Sequence, residues 1–311
     1  MEPTGLALAA ATGGWAVVSG WASGGDPGPL LALLVLIAAA AALGWVSGHA
    51  HPWAGPAAVV AWAAAVALRD LPRLYGGPLD TPLGYSNATA AFFVLASAAG
   101  VMVAARATGR VVRLGGLAAA VAFATVPLRN GSLAGAVLVC LLLPLAAVAR
   151  LGPRAVGRLV AACGVTVAAA VALTIVVGLN YDAADRGRPL DRGVDATLTE
   201  RRAVLWSDAL ALMRAAPETG VGPGRFRAYS PTALADDDAA WAHSGYLQMG
   251  AETGLVGFTL TCALVGWGFA WLRRGPLDGG TAVAARALAA AGVHGAVDYV
   301  WQLPADVGRD G

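Results

Sequence analysis

The chain has no lysine, only three cysteines and few charged residues of any kind. Charged residues make up 13% of its 311 residues, about half of their share in an ordinary soluble domain. This composition excludes a soluble enzyme. The cysteines all lie within apolar runs, so they predict neither a disulfide framework nor a thiolate metal site. The net charge is only +2, and no arginine cluster alternates with aromatic residues, so no nucleic-acid partner is predicted.

The chain is rich in long apolar runs. Hydrophobic residues make up 58% of it, and a helix crosses the hydrocarbon of a bilayer with roughly 17 to 25 such residues. The sequence therefore predicts an all-α fold, a polytopic transmembrane bundle of about nine helices. The predicted spans lie near residues 5–21, 28–46, 53–68, 85–105, 114–128, 132–149, 159–179, 244–272 and 282–304.

Arginines in short loops indicate the orientation of the bundle, because they stay preferentially on the cytoplasmic side. With the N-terminus inside, eight arginines fall in inner loops and three in outer connections. The inner set is Arg106, Arg110, Arg113, Arg150, Arg154, Arg158, Arg273 and Arg274, and the outer set is Arg69, Arg73 and Arg129. This orientation predicts that residues 180–242 lie outside the cytoplasm.

Residues 180–242 form the polar part of the chain. They carry 18 of its 40 charged residues and therefore belong in water. Apolar residues recur at helical spacing before Pro217 and predict an amphipathic helix over 199–216, lying on the membrane surface or capping the bundle. The predicted organisation is N-terminal transmembrane helices (1–179), the outer loop (180–242), C-terminal transmembrane helices (243–304) and a tail (305–311).

His243 lies where the chain returns from this loop to the membrane. On a continuous helix, Gly250, Gly254 and Gly257 fall within about 40° of its direction. Such a glycine stripe lets a neighbouring helix pack closely. The spacing by itself fits an interfacial histidine above an ordinary packing motif as well as it fits a catalytic imidazole.

Residues 242–257, beginning Ala-His-Ser-Gly-Tyr-Leu-Gln and continuing to Gly254-Leu-Val-Gly257, resemble the signature of the O-antigen ligase and polymerase family. Three further segments agree in the same order. They are residues 83–88 with Asn87, residues 202–226 with Arg202, Gly222 and Gly224, and residues 294–304 with His294 and Asp298.

The resemblance implies a multi-pass enzyme of a bacterial cytoplasmic membrane that moves or polymerises a glycan at the outer face. The implied donor is an oligosaccharide on undecaprenyl pyrophosphate, and the implied acceptor is a glycan hydroxyl. The lipid bilayer surrounds the enzyme, and neither nucleotide, metal nor another cofactor takes part. The resemblance does not separate a ligase from a polymerase, since the two differ only in their acceptor.

The resemblance also implies roles for particular residues. His243 is the catalytic base or the group that orients the acceptor, and Arg202 binds the pyrophosphate. Imidazole is well suited to take a proton from a hydroxyl, and guanidinium binds phosphate oxygens bidentately. Arg129 is a second catalytic candidate, because its turn loosely resembles a family motif, but it also fits an arginine at a helix end that reaches water.

Several of the remaining candidate site residues have two interpretations each. His294 and Asp298 are four residues apart, so on one helix they form either a buried structural pair or part of an acceptor site. Arg69 and Arg73 fit a solvated membrane boundary as well as a lipid-headgroup entry. The glycines at 220, 222 and 224 predict a tight turn rather than a nucleotide loop, because no strand precedes them.

Two other functions compete with the enzyme. One is a secondary transporter, which should place its ionisable groups and broken helices near the bilayer midplane. The other is an inactive, truncated relative, because family members usually continue with more spans after the segment that ends at Pro304.

Overall fold

The structure is a computed structural model that describes residues 3–75, 81–130, 132–142, 151–181, 198–235 and 240–298. Over these ranges it contains twelve α-helices and no β-strand. They are α1 (Pro3–Ser23), α2 (Gly28–Ala50), α3 (Ala54–Arg69), α4 (Ser86–Arg106), α5 (Arg110–Arg129), α6 (Leu133–Leu142), α7 (Pro153–Asn180), α8 (Leu198–Ala215), α9 (Phe226–Tyr229), α10 (Pro231–Ala235), α11 (Gly245–Arg274) and α12 (Gly279–Val297). A short 3-10 turn at Leu71–Arg73 follows α3.

The all-helical membrane fold predicted from the sequence is confirmed for the described residues. Each of the nine predicted runs contains a helix, and five helices are long and apolar enough to cross a membrane, namely α1, α4, α5, α7 and α11. Shorter apolar helices lie at Gly28–Ala40 and Ala54–Arg69. The count of nine spans and the outer location of residues 180–242 stay predictions.

The chain divides into two compact units. Unit 1 comprises residues 1–38, 166–267 and 295–311, and unit 2 comprises residues 39–165 and 268–294.

Unit 2 is built around close packing of α4 against α5. A Cβ atom on either Gly100 or Gly116 would lie 2.7 Å from the carbonyl oxygen of the other glycine, so the two backbones touch directly. The hydroxyl of Ser97 donates to the carbonyl of Ala120 at 2.8 Å across the same contact. Small residues and a hydroxyl thus hold two apolar helices together where the hydrophobic effect contributes little.

In unit 1, α8 is enclosed rather than amphipathic. Residues 203–210 are all buried, because neighbours cover the helix on several sides. Its core cluster comprises Leu205, Trp206, Ala209, Leu210, Met213, Phe226, Ala233, Ala242, Leu247 and Ala251, with Ile175 and Val177 of α7 packed against it. The helix lies one residue from its predicted bounds, but the prediction of a single apolar face is wrong.

Helix α11 is broken at Gly254, which has φ 72 and ψ −172. The break leaves carbonyl oxygens without helical partners, and the turn between α8 and α9 supplies the donors. The backbone amide of Val221 donates to the carbonyl of Ala251 at 2.9 Å, and the amide of Gly222 donates to the backbone carbonyl of Glu252 at 2.9 Å. In the other direction, the amide of Leu255 donates to the carbonyl of Pro217 at 2.8 Å.

Helix α1 provides further hydrogen-bond partners for the carbonyl groups at the break. The indole of Trp15 donates to the carbonyl of Thr253 at 2.8 Å, and the hydroxyl of Ser19 lies 3.2 Å from the carbonyl of Glu252. The predicted continuous helix from His243 through Gly257 is therefore wrong, since α11 begins at Gly245 and bends at Gly254. The three glycines do not form one straight stripe below the histidine.

Replacing Gly254 by alanine should destabilise the fold. A Cβ atom there would lie 2.3 Å from the carbonyl oxygen of Glu218, and a positive φ costs a non-glycine residue about 1–3 kcal/mol before any clash. We expect a clear loss of thermal stability in detergent. Gly266→Ala on the same helix is the control, because its Cβ meets nothing within 4 Å and alanine favours helix. Equal stability of the two variants would contradict this account of the break.

Candidate functional site

The carboxylate of Asp298 joins the side chains of His243 and Arg202 in unit 1. Its Oδ2 accepts a hydrogen bond from Arg202 Nη2 at 3.0 Å, and its Oδ1 lies 3.5 Å from His243 Nδ1. The Asp298 side chain is fully buried, whereas the other two are 18% and 16% exposed. A buried anion thus links two groups that each keep a small opening, which is the arrangement expected of a reactive site rather than of a sealed core.

Three parts of the chain bring these residues together. Arg202 lies near the start of α8, His243 lies two residues before α11, and Asp298 follows directly after Val297, the last residue of α12. The sequence predicted Asp298 and His294 on one helix face. In the structure α12 ends at Val297, so Asp298 lies directly after the helix, and its carboxylate contacts Arg202 of α8.

Arg202 keeps hydrogen-bonding capacity beyond this ion pair. Only its Nη2 is engaged by Asp298, and among the described residues its buried Nε has no hydrogen-bond partner. Asp298 thus holds the guanidinium group at Nη2, while 18% of the side chain stays exposed. This is how an arginine binds an anionic ligand while a protein carboxylate fixes its orientation.

His243 has an unusual backbone. Its φ is 50, the one positive φ among the described non-glycine residues. Its carbonyl accepts from the indole of Trp206 at 3.0 Å, and the amide of the preceding Ala242 donates to the side-chain oxygen of Gln248 at 2.7 Å. Ser244 then caps α11, with its carbonyl accepting from the amide of Gln248 at 2.8 Å. A positive φ strains the backbone of a non-glycine residue. Such strain persists only where contacts to the surrounding structure hold the residue in place, and such places are often functional.

Glu252 was not among the site residues predicted from the sequence. On a continuous helix it points away from His243, but the break in α11 and the turn before α9 give it another role. Its carboxylate is buried and accepts three hydrogen bonds, from Gly224 N at 3.0 Å, Phe226 N at 3.1 Å and Gln248 Nε2 at 2.7 Å. The four-residue spacing of Gln248 and Glu252 was the available signal, since it places both on one helix face.

Unit 1 also contains a mostly apolar cavity of about 230 Å³. Its walls come from α1, α2, α11 and the turn before α9, and its polar lining includes Asp26 and Glu252. The lining residues are Thr12, Asp26, Pro29, Leu30, Leu33, Leu34, Ile37, Pro223, Gly224, Trp241, Met249, Glu252, Thr253, Thr261, Leu264 and Val265. Glu252 thus belongs both to the cavity and to the hydrogen-bond chain that leads to His243.

The other predicted site residues lie in unit 2. Arg69, Arg73 and Arg129 are exposed, and the guanidinium of Arg129 stacks over the ring of Tyr75 at 5.7 Å from its centroid. His294 is buried in α12.

The predicted motif residues at the start of α4 and before α9 have structural roles. Asn87 lies in the first turn of α4 and donates to the hydroxyl of Tyr85 at 2.8 Å. The glycines at 220, 222 and 224 all have positive φ, so the segment is a turn, and its amides bond to α11 as described above.

Residues 118–262 match the model of the family described as O-antigen ligase. The match includes Arg202 and His243 and confirms the resemblance predicted from the sequence over these residues. It points to a glycosyl-transfer function in a membrane, with lipid-linked sugar and glycan as the kind of substrates that the family implies. Asp298 lies beyond the matched residues, so its place in the site rests on its contacts. No curated protein and no solved structure matches the chain.

The ion pair between Arg202 and Asp298 should be costly to break from one side. Asp298→Asn leaves a partly buried cation without its anion, and we expect a loss of about 3 kcal/mol in the free energy of unfolding. Adding Arg202→Gln should cost less than the sum of the two single changes, as measured by a double-mutant cycle in mixed micelles. Asp278→Asn, which breaks the exposed pair with Arg106, is the control and should cost about 1 kcal/mol or less. Additive effects at Arg202 and Asp298 would contradict the pairing.

Proposed function

We propose, because residues 118–262 match the O-antigen ligase family, that this protein transfers or polymerises a glycan at the outer face of a bacterial cytoplasmic membrane. The donor is an oligosaccharide on undecaprenyl pyrophosphate, and the acceptor is a sugar hydroxyl. The observation that carries the proposal is the carboxylate of Asp298 between the imidazole of His243 and the guanidinium of Arg202.

His243 is the base of the proposed reaction. Asp298 faces Nδ1, so it favours the tautomer that carries its proton there and leaves the lone pair of Nε2 for the acceptor. The acceptor oxygen attacks the anomeric carbon of the donor sugar, and its proton passes to Nε2. The bond from that carbon to the pyrophosphate oxygen breaks, and its electron pair leaves with the lipid pyrophosphate. Asp298 stabilises the imidazolium that forms, as a carboxylate does in a hydrolase triad.

Arg202 holds the leaving group. Pyrophosphate gains negative charge as the sugar departs, and a positioned cation stabilises that charge most in the transition state. The Arg202 side chain is 18% exposed, so its accessible part can take a phosphate oxygen while Asp298 accepts from Nη2. The roles of Arg129, Arg69 and Arg73 stay predictions that rest on the sequence, and all three side chains are exposed.

The apolar cavity of unit 1 supports a lipid-linked donor. Four of its wall residues, Leu30, Leu33, Leu34 and Ile37, follow one another along α2 at helical spacing. An isoprenoid chain has only apolar surface to bury, and such a wall suits it. The donor is thus expected to place part of its isoprenoid chain in this cavity.

Replacing His243 by alanine should abolish transfer. Removing a general base lowers the rate by about a hundredfold or more. The measurement is chain extension or transfer by purified protein in lipid vesicles supplied with a glycan on undecaprenyl pyrophosphate. His51→Ala is the control, because His51 is exposed and lies outside the site. Full activity of His243→Ala would remove the residue from the mechanism. No transfer by the wild type, together with ion-coupled solute uptake, would favour a transporter instead.

Filling the cavity should weaken donor binding without slowing the chemical step. Leu34→Trp puts a large side chain where the isoprenoid chain would lie. The loss of about two methylene contacts corresponds to an increase of about tenfold in KM for the lipid donor. Leu36→Trp on the same helix is the control, because Leu36 is 61% exposed and does not line the cavity. An unchanged KM in Leu34→Trp would place the chain elsewhere.

A further inference from the structure

We propose that Glu252 is a positioning residue for His243 and that it acts through Gln248. The inference rests on the proposed function, since it concerns how the proposed base is held. Glu252 does not need to contact the substrate for this role. It fixes a side chain that in turn fixes the backbone beside the imidazole.

The first step is the match between the Glu252 carboxylate and its neighbours. All three groups that reach it, two backbone amides and the amide nitrogen of Gln248, are hydrogen-bond donors. A carboxylate only accepts, so it satisfies all three at once. A side-chain amide of the same size would turn its own donor group toward at least one of them.

The second step is the orientation of Gln248. A glutamine amide has a donor end and an acceptor end, and its neighbours decide which way it points. Because Glu252 accepts from Nε2 at 2.7 Å, the oxygen end must face the other way. There it accepts from the amide of Ala242 at 2.7 Å. Glu252 therefore determines that an acceptor, and not a donor, stands opposite Ala242.

The third step leads from Ala242 to the imidazole. His243 follows Ala242 directly and has a positive φ, so its side-chain direction depends on how the backbone on either side of it is held. On the N-terminal side, Gln248 accepts from the amide of Ala242, which belongs to the peptide group between Trp241 and Ala242. On the C-terminal side, the indole of Trp206 donates to the carbonyl of His243 at 3.0 Å. A displacement of about 1 Å at a reacting group can cost about a hundredfold in rate. Loss of the Gln248 contact removes one of these two supports.

The same carboxylate also holds the turn at Gly224 and Phe226. Gly224 lines the apolar cavity together with Glu252. One side chain therefore links the wall of the proposed lipid site to the backbone of the proposed base. A change at Glu252 is expected to reach both, whereas a change at Gln248 is expected to reach His243 alone.

The test is an exchange of the two side chains. Gln248→Glu sets two carboxylates against each other, and we expect kcat to fall about tenfold or more, while KM for the lipid donor stays within about twofold. In the double variant Gln248→Glu/Glu252→Gln, the new glutamine donates to the new glutamate, which still accepts from Ala242. Only the bond from Phe226 is lost, so we expect most of kcat to return. The proposal would be overturned if the double variant recovered none of the lost kcat and the effects of the two single changes simply added.

Asp208→Asn is the matched control for general loss of stability. Asp208 is also a buried carboxylate of unit 1, and it accepts from the hydroxyl of Ser230 at 2.6 Å and the amide of Thr232 at 2.9 Å. These contacts cap α10 and do not involve residues 242–244. We expect this variant to lower the unfolding temperature without lowering kcat at temperatures where the protein is folded. A fall in kcat equal to that of Gln248→Glu would reduce the role of Gln248 to ordinary packing.

A second measurement does not depend on the reaction. The nitrogen resonances of the His243 ring, assigned by their loss in His243→Ala, report its tautomer and its contact with Asp298. We expect them to shift in Gln248→Glu and to return in the exchanged pair. If the wild type transfers no glycan but the resonances follow this pattern, the proposed function fails and the positioning role stands. Resonances that do not move in Gln248→Glu would overturn the positioning role whether or not glycan is transferred.

Discussion

A backbone carbonyl that loses its helical partner in an apolar surrounding must find another donor, because leaving it unpaired costs several kcal/mol. The break of α11 at Gly254 creates this demand at the carbonyls of Ala251, Glu252 and Thr253. Donors from the turn before α9 and from α1 meet it. The arrangement of unit 1 around the site follows from this exchange, since the turn before α9 bonds to the broken helix where that helix offers acceptors.

The break also explains why polar side chains gather at this end of α11. Once the turn is bonded to the helix, the amides of Gly224 and Phe226 come within reach of Glu252. Glu252 then orients Gln248 toward the segment that carries His243. The candidate site is thus built from backbone bonding outward, in a series that begins at Gly254 and ends at the backbone beside His243. Arg202 and Asp298 form a second set of contacts to His243, in which Asp298 lies between the guanidinium group and the imidazole.

The sequence predicted the identity of the site better than its construction. His243 and Arg202 could be found because their motifs keep short, characteristic spacings. Asp298 was placed on a helix with His294, since nothing in the local sequence shows that α12 ends one residue earlier. The sequence predicted Gly254 as a packing glycine. The apolar pattern on both sides of it fits one straight helix and contains no sign of a bend. The burial of α8 likewise depends on partners distant in the chain, which a local apolar pattern does not contain.

The partners of the central ion pair are separated by 96 positions along the chain, and this distance has a consequence for biosynthesis. A protein is made from its N-terminus, and earlier segments begin to fold before later ones exist. Arg202 and His243 therefore leave the ribosome well before the aspartate that joins them, which follows α12. Until that helix has been inserted, the nascent chain holds a cation and an imidazole with no shared anion between them. The order of synthesis thus leaves the contacts of the candidate site incomplete until the last described helix is in place.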